Sequence, residues 1–240
     1  MNKKIFTTAI ALSSLGTLWV TTFAGASTPT SLKGMNGVQI DALAIAQMKV
    51  ARSYTMVEVS NEPGLIATSV TSSNLSSGVR HDVINGHFGE RRYVKGVAYA
   101  KFDAGLVKIF FGKSIPSVAN HWVSFTPAHK YYSTFANTMT ESSLAPLLVL
   151  HGPLRVSSPL TFMSQHVVAV TSVRASSTSA PSFSEILYVR NVAPFLPVAL
   201  SLNSSASPRP LVELAFKDWG RPLSVSAPAN VTPSWKTPIG

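Results

Sequence analysis

The feature that most constrains the fold is two blocks of alternating apolar and polar residues, separated by a stretch with helical spacing. Alternation places one face of a strand against a core and the other toward solvent, so each block predicts part of an antiparallel sheet. The first block predicts strands at residues 54–60, 65–71, 79–84 and 90–102, the last interrupted by Gly96. The second block predicts strands at residues 164–173, 184–190, 197–202, 211–216 and 223–227.

Helical spacing of apolar residues precedes the first block and separates the two. Residues 38–52 predict a first amphipathic helix. Asp103 and Gly112 are typical residues for the start and the end of a helix, and they bracket a short second one. Further helical spacing covers residues 131–139, and residues 141–150 predict another turn or two. The apolar face of the second helix carries Leu106, Val107, Phe110 and Phe111.

This order of elements predicts an α+β fold: a single curved antiparallel β-sheet, or half-barrel, with helices covering the concave side. A few short helices do not fill the concave side of a strongly curved sheet. That side therefore either collapses or encloses a ligand. The chain has no cysteine, so its core forms without disulfides, and thiolate metal sites and thiol chemistry are excluded.

The N-terminus has the three parts of a cleavable signal peptide. Lys3 and Lys4 precede an uncharged stretch, residues 5–23, and Ala24-Gly25-Ala26 predicts cleavage before Ser27. A retained membrane anchor is the alternative, but Ser and Thr residues dilute the apolar stretch. No second long apolar run follows, so we expect a soluble extracytoplasmic protein without a transmembrane helix. The predicted organisation is a signal peptide (1–26), a flexible linker (27–37), one domain (38–230) and an extended tail (231–240).

The chain is strongly basic. Removing Lys3 and Lys4 from the net charge of +10 leaves +8, because every acidic residue follows the predicted cleavage site. Such a surface favours anionic partners in the cell envelope, such as lipid head groups or wall polymers. Nucleic acid is not predicted as a partner, since the basic residues are scattered and no basic helix or aromatic-basic motif occurs.

The sequence predicts no catalytic residues, no metal and no cofactor. It contains neither a G-x-S-x-G nor an H-E-x-x-H motif, and its ten acidic residues are not paired as in a glycosidase. His81, Asp82 and His87 lie close enough in sequence to suggest a metal site. However, strand alternation and the Asn85-Gly86 turn do not direct them to one point.

Several segments resemble one known family. Those in the second half of the chain read EILYV (185–189), PFLPV (194–198), LAFKDWG (214–220) and VSAP (225–228); those upstream read RYVKGVAY (92–99) and HWVSF (121–125). In this order they are similar to the LppX/LprG-type proteins of actinobacteria, which share the fold of the LolA/LolB lipoprotein carriers. The resemblance covers residues 38–230 and implies a half-open barrel around an apolar cavity for acyl chains. It departs from the family at Ala26-Ser27, where typical relatives carry a lipid-modified cysteine.

The resemblance implies a ligand site on the helical segments of the middle region. We predict that residues 103–112 form a lid, so that Phe110→Ala would weaken lipid retention more than stability. Plain core packing is the alternative for these side chains. The predicted function is an exported carrier of a lipid or other lipophilic ligand; the alternative is a non-catalytic envelope-associated interaction module with a filled core and a basic binding face. The predicted cavity or lid residues are Leu106, Val107, Phe110, Phe111, Tyr132, Phe135 and Met139.

Overall fold

The structure is a computed structural model that describes residues 29–174 and 182–239. The predicted signal peptide and the start of the predicted linker lie outside the described residues. The sequence also predicts a hairpin connection in the Ser/Thr/Pro-rich stretch at residues 175–182, and all of it except Ser182 lies outside them as well. The helices are α1 (Gly37–Ala51), α2 (Ala104–Phe111), α3 (Tyr132–Ala136) and α4 (Glu141–Leu148), followed near the C-terminus by a single 3-10 turn (Ser234–Lys236). The strands are β1 (Tyr54–Glu62), β2 (Leu65–Ser73), β3 (Gly78–Ile84), β4 (His87–Val94), β5 (Val97–Phe102), β6 (Trp122–Phe125), β7 (Leu154–Val156), β8 (Leu160–Phe162), β9 (Gln165–Arg174), β10 (Phe183–Arg190), β11 (Pro197–Ser204), β12 (Val212–Lys217) and β13 (Val231–Pro233).

In the described residues the strands form one sheet, in the order β13-β6-β5-β4-β3-β2-β1-β12-β11-β10-β9-β7, with β8 paired to β9. Strands β1 to β6 form one meander and β9 to β12 form another. The two meet where β1 pairs with β12. Every pairing is antiparallel except that of β13 with β6, which is parallel. The predicted α+β class with a single antiparallel sheet is therefore confirmed, with this one parallel strand added at its edge.

Two tight turns fix the register of the first meander. Asn85 and Gly86 have positive φ angles and join β3 to β4, and Lys95 and Gly96 do the same between β4 and β5. Two consecutive residues with positive φ suit the right-handed twist of a hairpin. The predicted strand at residues 90–102 is consequently two strands. The first turn also places Arg80 directly opposite Arg91 on the concave face.

The helices pack on the concave side in two groups. Helices α1 and α4 cover the second meander and β1, where they build the first core; α2 and α3 cover β4 to β6 and build the second core. Buried residues of the first core include Ile40, Met48, Tyr54, Leu144, Leu187, Phe195 and Phe216. Buried residues of the second core include Phe102, Leu106, Val107, Val123, Phe125, Phe135 and Ile239.

The predicted strand at residues 223–227 is wrong. These residues pair with no strand of the described chain but run from the end of β12 toward β6. Their carbonyl groups accept hydrogen bonds from side chains of the first meander: Asn74 donates to Leu223 and Arg92 to Ser226. A segment lying across other strands also buries alternate side chains, which explains why Leu223 and Val225 produced a strand-like pattern.

The C-terminal residues pack against the sheet. An extended tail was predicted after residue 230, and the structure has there the short strand β13 followed by the 3-10 turn. Ile239 is buried in the second core. Across residues 29–174 and 182–239, none of the helices combines the length and the apolar character needed to cross a membrane.

Candidate functional site

Helix α2 is fixed firmly at its N-terminal end. The Asp103 carboxylate accepts hydrogen bonds from the Leu106 amide at 2.8 Å and, across to β4, from the Phe88 amide at 2.8 Å. These bonds and the nearby His87 outweigh the effect of burial and lower the pKa of Asp103. Gly112 ends the helix in the left-handed conformation, with φ of 71°. The predicted cap residues at both ends of this helix are thus in place.

Helix α2 contributes to a cluster of aromatic rings. Phe110 stacks on Phe102 with ring centroids 4.7 Å apart and meets the edge of Phe135 at 5.5 Å. Phe111 contacts Tyr131 at 5.0 Å. Phe135 is fully buried among these rings, whereas Phe110 and Phe111 are half-buried. The cluster therefore joins α2, α3 and the sheet through apolar contacts.

A small void lies in the second core, between α2, the sheet and the C-terminal residues. Its volume is about 10 Å³, and it is lined only by apolar residues. That volume is close to the minimum for one water molecule and far below the hundreds of Å³ of a typical ligand pocket. An acyl chain does not fit there unless part of the lining moves. The lining residues are Ala100, Phe102, Val107, Phe111, Val118, Val123, Phe125 and Ile239.

The middle of the concave face carries a buried ionic network that the sequence analysis did not predict. Asp82 is 1% exposed and receives two hydrogen bonds from Arg91, both 2.7 Å long. Arg80 binds the same carboxylate at 2.8 Å and Glu58 at 2.7 Å. Two guanidinium groups thus face two carboxylates, and this network, Glu58, Arg80, Asp82 and Arg91, has no net charge.

The ionic network holds α3 in place. The second terminal nitrogen of Arg91 donates to the Thr134 carbonyl at 3.0 Å, and Arg80 donates to the Thr138 hydroxyl at 3.2 Å. Burial favours the neutral carboxyl of Asp82, but the guanidinium groups of Arg91 and Arg80 outweigh it and hold the pKa of Asp82 well below its usual range. Asp82 therefore stays charged across the physiological pH range, and the network is a polar boundary between the two cores.

A sequence signal for this network exists in retrospect. Arg80 and Asp82 alternate with Val79, His81 and Val83, and binary patterning favours the valines for the core. The structure has the opposite arrangement: Arg80 and Asp82 are buried, whereas Val83 is 38% exposed. Two arginines directly opposite each other on a buried face require a carboxylate between them. The Asn85-Gly86 turn implies the pairing of Arg80 with Arg91, but it does not indicate that this face is the buried one.

The structure brings together most of the predicted site residues. Leu106, Val107, Phe110, Phe111, Tyr132 and Phe135 all belong to the second core or pack against it. Burial, and next the hydroxyl of Tyr93, raises the pKa of Tyr132 to about 12. Met139 lies apart from the others and fully buried. It is beyond the end of α3, packed against Gly78, and its carbonyl accepts a hydrogen bond from Ser73 at 2.8 Å.

The residues considered for a metal site do not converge. Asp82 belongs to the ionic network on the concave face, while the alternation of β3 places His81 on the opposite face. His87 lies 3.4 Å from Asp103 at the start of α2. Within the described part of the chain no group of three or more His, Cys, Asp and Glu side chains is arranged to hold a metal ion.

The fold is of the LppX/LprG type, a half-barrel sheet with helices on its concave side. The crystal structure of LprF from Mycobacterium bovis has this fold and matches the chain with a TM-score of 0.51. The match covers 80% of this chain and 97% of that chain at 14% sequence identity, so it establishes the fold.

A second solved structure, MucB in complex with MucA(peri), matches with a TM-score of 0.38 and 11% identity. This match covers 75% of this chain and 53% of that one, and its score is too low to indicate a shared fold. No protein-family model matches the sequence, and a comparison with curated proteins finds no match.

Proposed function

We propose that this protein is a non-catalytic carrier that holds the acyl chains of a lipid, or another lipophilic ligand, in the second core. The observation that carries the proposal is the closure of this core. An apolar half of the concave face is covered by helices of eight and five residues and by the C-terminal residues, with a void between α2, the sheet and Ile239. Helices this short have little stability of their own and depend on the apolar surface beneath them.

The contacts around the second core support helix α2 as the part that opens in this proposal. Asp103 fixes the start of α2 to β4, and Arg91 fixes α3 to the ionic network. The far end of α2 is held by ring contacts of Phe110 and Phe111 and by the Arg91 guanidinium, which lies 5.9 Å from the Phe110 ring. Just beyond the helix, Lys113 donates one hydrogen bond to the Pro238 carbonyl. We infer that α2 pivots about Asp103 and separates from Ile239, which enlarges the void between them.

The energetics of this opening are favourable for a long apolar ligand. Each buried methylene group contributes about 0.8 kcal/mol, so a long acyl chain offsets the loss of several ring contacts worth about 0.5–1.5 kcal/mol each. The ionic network limits the cavity on one side, because a ligand that extended through the network would separate its buried charges. We therefore place the acyl chains under α2 and not across the whole concave face.

A native mass spectrum of protein purified from its own cells tests the proposal. We expect an additional mass of lipid size that organic extraction removes, and uptake of a fluorescent fatty acid by the extracted protein. Protein that carries no such mass and takes up no fatty acid would contradict the carrier function.

The second candidate function is a non-catalytic envelope-associated interaction module with a filled core. The observation that favours it is the void of about 10 Å³, which is compatible with a permanently closed core. Its partners would bind through the basic surface. The mass spectrum distinguishes the two candidates, because a filled core retains no lipid.

We further propose that the chain is exported and cleaved before Ser27, which leaves a mature protein without a lipid-modified cysteine. In this organisation residues 27–36 lie between the cleavage site and α1, and Leu32 among them is buried in the first core. Attachment to the envelope would then depend on the protein's own surface.

A further inference from the structure

Two segments of the chain carry positive charge and no acidic residue. Residues 104–140 contain Lys108, Lys113 and Lys130, and residues 219–240 contain Arg221 and Lys236; Asp and Glu are absent from both. The ten acidic residues all lie elsewhere in the sequence. A surface built from these two segments alone is therefore uniformly cationic.

The structure brings the two segments together beside the void. Lys113 donates a hydrogen bond to the Pro238 carbonyl at 3.0 Å. Lys130 lies 5.3 Å from the Tyr131 ring, which contacts Phe111, and Phe111 lines the same void as Ile239. Lys236 stands 4.9 Å from the Trp235 ring. We call Lys113, Lys130, Trp235 and Lys236 the cationic edge.

The side chains of the cationic edge face solvent. Trp235 is 72% exposed, and the three lysines are also exposed. Within the described chain none of these lysines forms an ion pair, whereas Lys49 and Arg92 are paired with Glu141 and Glu90. An exposed tryptophan among unpaired lysines is typical of sites that lie at the interface of an anionic membrane.

We propose that the cationic edge docks the protein onto an anionic lipid bilayer, with Trp235 at the level of the head groups. This inference deepens the proposed function and rests on it, since docking here places the opening end of α2 against the lipids. A soluble anionic polymer would use the lysines but would not require a large exposed indole ring. Trp235 therefore distinguishes a bilayer from a polymer.

Sedimentation with vesicles tests the docking. We expect the mature protein to bind vesicles of phosphatidylcholine and phosphatidylglycerol in equal parts, to leave phosphatidylcholine vesicles unbound, and to dissociate at molar salt. A lysine near an anionic surface contributes about fivefold in affinity. Replacing Lys113, Lys130 and Lys236 together by Ala should therefore weaken binding by about 100-fold, by the same reasoning.

The matched control removes the same charge elsewhere. Lys95, Lys101 and Lys217 are also exposed, and their replacement by Ala should weaken binding only a few-fold, through the net charge. Trp235→Ala should weaken binding to the vesicles but leave binding to soluble polyglutamate unchanged. Brominated lipids should quench the fluorescence of the unaltered protein, and Trp235→Phe should remove most of that quenching.

Several results would overturn the docking. They are equal losses in the two triple variants, no effect of Trp235→Ala on vesicle binding, or no binding to the anionic vesicles. The carrier function is measured separately by mass spectrometry. Protein that retains lipid but does not bind vesicles would support the carrier function and contradict docking through the cationic edge. Protein that binds vesicles but retains no lipid would support the docking and contradict the carrier function.

Discussion

Replacing Phe110 by Ala separates the two readings of helix α2, a lid over a ligand or ordinary core. Full removal of a buried Phe side chain costs about 3–5 kcal/mol. Phe110 is half-buried, and its ring contacts Phe102 at 4.7 Å, Phe135 at 5.5 Å and the Arg91 guanidinium at 5.9 Å. We therefore expect Phe110→Ala to lower the free energy of unfolding of the ligand-free protein by about 2–3 kcal/mol, scaled from the fully buried case.

Two variants calibrate that value in urea unfolding. Phe135→Ala removes a fully buried ring and should cost about 3–5 kcal/mol. Phe88→Ala removes a ring that is 65% exposed on β4, and its cost should stay within about 0.5 kcal/mol. The free energy of unfolding lost in Phe110→Ala, compared with these two values, measures how firmly α2 packs when no ligand is bound.

Retention of a fluorescent fatty acid gives the second measurement. If α2 closes over the ligand, Phe110→Ala should speed its release clearly at a temperature where the variant is folded, and Phe88→Ala should leave release unchanged. The reasoning would be refuted if Phe110→Ala lowered the free energy of unfolding by about 3 kcal/mol or more, as for a fully buried ring, and left release of the fatty acid unchanged. Helix α2 would then be ordinary core.

Three further predictions concern the buried carboxyl groups and the N-terminus. Asp82→Asn should lower the free energy of unfolding in urea by about 3–5 kcal/mol, because it leaves two buried guanidinium groups without their carboxylate. The control Glu90→Gln removes a partly exposed pair with Arg92 and should cost under about 1 kcal/mol. Because the folded pKa of Asp82 is depressed, its contribution is present above about pH 4 and is lost as the pH falls toward the folded pKa. Burial, partly offset by a hydrogen bond from the Leu150 amide, raises the pKa of Asp41 to about 7. The stability that its neutral carboxyl contributes is therefore fully present below about pH 4 and is lost as the pH rises through 7. Asp41→Asn should therefore raise the melting temperature at pH 8 but not at pH 4, and an equal change at both would contradict the assignment. N-terminal sequencing of secreted protein should begin at or near Ser27, and a start at Met1 would exclude cleavage.

Helix α2 shows what the sequence alone could predict. Its cap residues Asp103 and Gly112 act within a few residues of the helix they bound, so local sequence was sufficient to place both ends. The same holds for the turn at Pro63-Gly64, between the strands predicted at residues 54–60 and 65–71, and for the interruption predicted at Gly96. These features depend on the backbone conformation of single residues, and the residue type at each position indicates that conformation directly.

The ionic network shows what could not be predicted by the same means. Glu58, Asp82 and Arg91 lie on three strands, and their meeting depends on strand register across more than thirty residues. Binary patterning favours the valines of β3 for the core, but Arg80 and Asp82 are buried and Val83 is 38% exposed. Helical spacing groups Met139 with Tyr132 and Phe135, but α3 ends at Ala136, so the Met139 side chain packs elsewhere.

The pairing of β1 with β12 has a consequence for how the chain reaches its native state. In each meander almost all neighbouring strands are also neighbours in sequence, whereas Thr55 and Lys217 face each other across most of the domain. Closing so long a loop costs entropy before any contact compensates for it, and such pairings slow folding. We expect each meander to collapse first, with the seam between them forming in the rate-limiting step. Until then β1 and β12 are open edges able to pair with another molecule, so aggregation during refolding should start at this seam.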